Sequence, residues 1–277
     1  MKELGVNALK DCVFIKSIIL RNGLTEIGEN AFFNCTNLET IVIPETVTKI
    51  GPWAFTYSGL KSITLLDGRL TEIGDNAFNG CYNLETMVIP NSVTKIGPDA
   101  FYCSGLKSIT LLDGRLTEIG ERAIHKCYNL KTVVIPKTVI KINPWAFAES
   151  GLKSIILPNG RLTEIGEKAF LYCHNLESMV IPKTVTKIGP WAFASSGLKS
   201  ITLSDGLIEI GECAFFHCRN LETVVIPDTV TKISPYAFAN SGLKSITLPY
   251  EVKIGFDAFR DCHNLIVKYK WHQCILQ

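Results

Sequence analysis

Apolar residues in this 277-residue chain recur in a fixed alternation. Residues 60–65 read Leu-Lys-Ser-Ile-Thr-Leu, and the same hexapeptide returns at 106, 198 and 243, and at 152 with Ile in place of Thr. From Ile63 onward the apolar positions alternate, as a half-buried strand requires. Asp67-Gly68, Asp113-Gly114 and Asn159-Gly160 then mark tight turns. A second extended piece follows, Leu70-Thr71-Glu72-Ile73, rich in strand-favouring residues. Each segment closes on Gly-x-x-Ala-Phe. The first x is proline at Pro52, Pro98, Pro144, Pro190 and Pro235, and acidic at Glu29, Asp75, Glu121, Glu167 and Glu212. Proline suits the first position of a helical turn, and a carboxylate there faces the positive end of its dipole. The expectation is a single helical or 3₁₀ turn at that corner, with Phe55, Phe78, Phe101 and their equivalents stacked inside.

The unit is half the 46-residue period. Units start at Ile15, Leu38, Leu60 and Leu84 and continue to Leu243, in steps of 22 to 24 residues. Residues 1–14 form a partial repeat, residues 15–264 eleven repeats, and residues 265–277 a final strand and tail. Leu-x-x-Leu-x-Leu spacing at this period follows the leucine-rich repeat pattern. The string Ile-Pro-x-x-Val-Thr-x-Ile-Gly-x-x-Ala-Phe, with Ala-Phe-x-x-Cys in alternate units, resembles the BspA-like leucine-rich repeats over about residues 4–267. The expected fold is a β-rich, right-handed leucine-rich repeat solenoid of about twelve rungs, α/β only through short helical turns. The resemblance implies a cell-surface or secreted binding protein, often an adhesin, with host or extracellular matrix proteins as partners. A cytoplasmic or structural interaction scaffold is the alternative.

Charge and cysteine content narrow the picture. A formal net charge of +2 gives no electrostatic case for nucleic acid. No run of 18 apolar residues exists, so no membrane insertion is expected. The chain opens within a repeat and without signal-peptide character, which points to a fragment boundary and leaves secretion open. Of ten cysteines, Cys12, Cys35, Cys81, Cys127, Cys173, Cys218 and Cys262 share one slot, which among the eleven repeats recurs every second rung. Rungs stack at about 4.8 Å, so like positions two rungs apart lie roughly 9.6 Å away, beyond the ~7 Å Cα limit of a disulfide. These cysteines read as buried small hydrophobes. Cys103, Cys213 and Cys274 fall outside the slot and are the candidates for reactivity.

Two columns carry alternating charge. One runs Lys16, Glu39, Lys61, Glu85, Lys107 and on to Lys244; the other runs Glu26, Lys49, Glu72, Lys95 and on to Lys253. Opposite charges stacked across a sheet contribute about 0.2–1 kcal/mol each. Sliding one rung would oppose like charges, so the columns read as a register device. Lys131 breaks the alternation.

Two surfaces are left for binding. The outward residues of the first strand carry almost no charge, and Thr64, Val88, Thr110, Val134, Ile156, Val180, Thr202 and Val225 form the candidate protein-binding column. Such a face suits a protein partner or self-association. The second candidate is an aromatic strip of Trp53, Trp145, Trp191 and Tyr236, with Trp145 placed between Arg122 and Lys168 for cation–π contact. The plainer reading is that these rings cover the solenoid's edge. Asp67-Gly68-Arg69 and its repeats are explained by turn chemistry. Four of the five histidines lie within two residues of a slot cysteine, but on alternate rungs, too far apart to share zinc. With no Gly-x-Ser-x-Gly elbow and no phosphate-binding loop, the chain reads as non-enzymatic and without a cofactor.

Overall fold

The computed structural model describes residues 2–270. Among them the chain winds into a parallel β-solenoid of about twelve turns, with 24 short strands and no helix. One strand of each rung is only two residues long. These run from Glu3–Leu4, Glu26–Ile27 and Lys49–Ile50 to Lys253–Ile254, and join in one 12-stranded parallel sheet. The other strand has three or four residues, such as Thr40–Ile43, Ser62–Leu65 and Thr86–Ile89. These line a second face, whose ladder runs unbroken over the first five strands and in shorter groups thereafter.

Register follows the sequence alternation. Lys49 stacks between Glu26 and Glu72, and Lys141 between Glu118 and Glu164. Within the short-strand ladder like charges meet only at its ends, Glu3 on Glu26 and Lys232 on Lys253. Ion pairs form along both columns, including Lys49–Glu72 at 3.5 Å, Lys61–Glu39 at 2.9 Å and Lys107–Glu85 at 2.7 Å. Each is exposed and worth little alone. Lys131 stacks between Lys107 and Lys153, and among the described residues it has no ion pair.

The corner after Gly is not helical, contrary to the sequence expectation. Gly51 carbonyl accepts from the Ala54 N–H at 3.3 Å, and Phe55 carbonyl from the Ser58 N–H at 3.0 Å. Trp53 and Tyr57, third in those turns, have φ of 51° and 56°. These are tandem β-turns with a positive φ third, and proline stands second in the first of them. The reason lies between rungs. The N–H groups of Trp53, Phe55 and Tyr57 donate to Asp75, Ala77 and Asn79 of the next rung at 2.9, 2.8 and 2.9 Å. A helical turn would direct N–H groups within the segment; alternating turns aim every second one at the neighbour. Backbone groups buried at this corner are therefore satisfied.

The interior is a set of single-residue columns. Phe55, Phe78 and Phe101 stack nearly parallel, with ring centres 5.2 and 5.4 Å apart, and Phe147 to Phe238 repeat the arrangement. Each ring is fully buried, worth about 1.5–3 kcal/mol by area alone. Ile124 interrupts the column. The cysteine slot holds free thiols, buried in the central rungs and half-buried at Cys12 and Cys262. Cys12 and Cys35 stand on adjacent rungs; from Ser58 on, serine fills the same slot on the intervening rungs, so the thiols from Cys81 to Cys262 meet a hydroxyl: Ser58 and Cys81 at 3.4 Å, Ser104 and Cys127 at 3.3 Å. Each of these thiols also donates to a phenylalanine carbonyl, Cys81 to Phe55 at 3.1 Å.

Candidate functional site

The long strands set the exposed face. Their buried positions, Ile63, Met87 and Ile109, hold the core, so the period of two turns the residues between them outward. All eight predicted residues, from Thr64 to Val225, are exposed. Register pairs them in a file that alternates hydroxyl and apolar groups except at Val134 and Ile156: Val42 beside Thr64, Val88 beside Thr110, Val134 beside Ile156, Val180 beside Thr202. Ile19, 93% exposed, and Val42 extend the file toward the first rungs. They were legible from their place in the unit. Shallow depressions of about 360 and 400 Å³ lie along the file, one around Ser178, Val180 and Thr202, the next around Thr202 and Val225.

The aromatic strip is divided. Trp145 and Trp191 are half-buried against Ala148, Leu171, Ala194 and Phe216, a small apolar cluster outside the main core. Tyr236 meets Phe256 edge-on at 5.8 Å, and Trp53 is the most open of the four. Lys168 does sit over the Trp145 ring at 4.7 Å. Arg122 does not join it; it pairs with Asp99 at 3.1 Å. These rings seal the corner turns more than they present a strip.

Among the three cysteines outside the slot, Cys213 is buried and its thiol is pushed up to about 11 by that burial. Burial also raises Cys103. Neither is poised as a thiolate. Cys274 lies outside the described residues. His125 is buried, with Nε2 3.2 Å from Glu149 Oε1 and no partner for Nδ1. Among the described residues no three His, Cys, Asp or Glu side chains converge on a metal position, and no helix is long and apolar enough to cross a membrane.

Fold and surface together define a leucine-rich repeat scaffold, a rod whose rungs differ mainly in what they display. The chain belongs to the BspA type leucine rich repeat region family, whose repeats match residues 2–114, 25–152, 112–205 and 146–266. It is similar to a leucine rich cell surface protein from Faecalibacterium prausnitzii, with 27% identity and a TM-score of 0.53 over 93% of this chain and 88% of that one. A leucine-rich repeat protein from Eubacterium ventriosum is 25% identical, with a TM-score of 0.52 over 91% and 77% of the two chains. The pneumococcal vaccine antigen PcpA shares the fold at 21% identity, with a TM-score of 0.55 over 98% of this chain and 67% of that one. No match was found among curated proteins.

Proposed function

We propose that the protein binds other proteins through its long-strand face, as an adhesin-like molecule at the cell surface, with extracellular matrix proteins as partners. The observation that carries this reading is the file from Ile19 to Val225, exposed and without a charged residue. Exposed apolar surface of this extent is characteristic of interaction sites. A rigid, preformed file needs little ordering on association, which favours affinity. Similarity to a leucine rich cell surface protein supports the location. Catalysis has no place in this reading, because a repeated surface offers no singular convergent site.

The test uses immobilised fibronectin, laminin and collagen, with the wild type beside a triple variant carrying Val88→Glu, Val134→Glu and Val180→Glu. Retention of the wild type and loss of the variant, at equal melting temperature, supports the strand face. Equal retention of both, or retention of neither, removes matrix binding by this face. A wild type that dimerises where the triple variant stays monomeric would assign the face to self-association instead.

A further inference from the structure

A different row of side chains stands on the corner that follows the phenylalanine column. In alternate rungs the residue after the slot cysteine protrudes: Tyr82, Tyr128, His174, Arg219. In the rungs between, the residue after the slot serine is Gly105, Gly151 or Gly197. A Cβ on Gly197 would lie 2.0 Å from the His174 carbonyl oxygen, and one on Gly151 1.9 Å from that of Tyr128. No side chain fits on those rungs. A notch therefore opens between each pair of protruding residues, two rungs or about 9.6 Å wide.

The notch between His174 and Arg219 differs from its neighbour in charge. It encloses about 490 Å³ over a floor of Ser196 and Gly197, with Tyr172, Ser195, His217 and Asn220 at its sides. No carboxylate lines it, whereas the preceding notch contains Glu149. Arg219 has no ion pair among the described residues. The His217 ring lies flat on Phe216, with centres 4.4 Å apart and planes 4° apart, which fixes its orientation. Tyr172 and His174 pack at 5.8 Å, tilted by 43°, and form an aromatic wall.

We propose that this notch binds a sulfated saccharide unit. Arg219 offers the fork geometry that grips an oxyanion through two N–H groups. His174 and His217 offer ring N–H donors from other directions, so the three oxygens of a sulfate are met on separate sides. The Ser195 hydroxyl and Asn220 amide meet sugar hydroxyls. Tyr172 supports the apolar face of a pyranose ring. An acidic peptide would use the Arg219 guanidinium but leave the aromatic wall idle. Tyr128, two rungs before His174, gives a linear glycan a further ring along the same row. The site is independent of the strand face, and the overall charge of +2 provides little nonspecific attraction for polyanions.

The experiment is calorimetric titration of the full chain with a size-defined heparin oligosaccharide, with parallel titrations of hyaluronan, which carries carboxylates alone, poly-glutamate and inorganic sulfate. Arg219→Gln combined with His174→Gln should weaken heparin binding about tenfold or more, with the melting temperature unchanged. Lys61→Gln combined with Arg69→Gln, on other sides of the rod, should leave it unaltered, as should the strand-face triple glutamate variant. Equal affinity of wild type and notch variant would overturn the proposal. So would equal weakening by the Lys61/Arg69 control, or hyaluronan or poly-glutamate binding as tightly as heparin. Inorganic sulfate binding as tightly as the oligosaccharide would remove the saccharide from the assignment.

Discussion

Ser58 Oγ lies 3.4 Å from Cys81 Sγ, in the interior of the rod and one rung apart. The relationship repeats at Ser150 and Cys173 and at Ser196 and Cys218. Burial pushes the Cys81 thiol up to about 12, so it stays protonated and serves as a donor. From Cys35 to Cys262, serine between successive slot cysteines keeps sulfurs two rungs apart; Cys12 and Cys35 are one rung apart. Adjacent rungs are about 4.8 Å apart, within the ~4.4–6.8 Å Cα range that a disulfide accepts. Ser58→Cys should therefore create an oxidisable pair with Cys35 or Cys81. Counting free thiols in the denatured protein after mild oxidation tests this. With Cys12, which stands one rung from Cys35, replaced by serine in both proteins, the parent should keep all of its thiols, and the Ser58→Cys variant should lose two from its larger total. A variant that keeps every thiol would show that rung spacing does not limit pairing.

Close approach at the glycine rungs has its own consequence. A Cβ at Gly151 meets the Tyr128 carbonyl oxygen at 1.9 Å, and the Gly151 N–H, donated to the Cys127 carbonyl at 3.1 Å, ties the two rungs at this contact. Gly5, by contrast, has open space around its Cβ position. Gly151→Ala should destabilise by roughly 1–3 kcal/mol, as overpacking does, and Gly5→Ala by much less. Urea midpoints of the two variants decide the matter; equal shifts would remove the close contact as the cause. Since solenoid rungs couple mainly to their neighbours, the Gly151→Ala loss should also appear as faster amide exchange nearest that rung.

Much of this architecture was legible in the repeat. The strand over Ser62–Leu65 falls inside the stretch that alternation predicts, and the stacked phenylalanines follow from their fixed offset. The corner was misread because Pro52 is equally at home at a helix start and second in a β-turn. What separates these is the backbone of Trp53, whose positive φ no propensity of tryptophan announces. A signal did exist. Neither positive-φ column, the one through Asn30, Trp53 and Asn76 or the one through Asn34, Tyr57 and Cys103, contains Val, Ile or Thr. Serine in the cysteine slot was equally visible. The notch was not, because its walls come from residues 45 apart and its depth from a backbone contact that spacing does not express.

That backbone demand can be probed at Asn240, where φ is 57°. A β-branched residue is a genuine outlier in this region, and glycine is free there. Asn240→Val should destabilise by about 1–3 kcal/mol, and Asn240→Gly should be close to neutral. Thermal melts of the two variants check the order. If valine is tolerated as well as glycine, the tandem-turn description of the corner is wrong.

His125 gives the rod a pH dependence in a window of its own. It lies between Tyr102 and Trp145, with ring centres at 5.2 and 5.7 Å, where equivalent rungs hold Leu171 or Ala194. Burial lowers its pKa below the ordinary 6.5, against an opposing pull from Glu149. In the unfolded chain the imidazole takes up its proton near 6.5; in the folded rod it does so only at lower pH. Between those values the unfolded state holds more protons, so stability falls as pH drops. Above both, the group is neutral in either state and the penalty vanishes. Paired carboxylates such as Glu209, held below 4.5 by Lys232, lose their contribution only in more acidic solution. From pH 7.5 to 5.5 the wild type should therefore lose up to roughly 1 kcal/mol, and His125→Leu should lose much less. Urea unfolding at the two pH values measures the difference, and parallel losses in both proteins would assign the pH dependence to other groups.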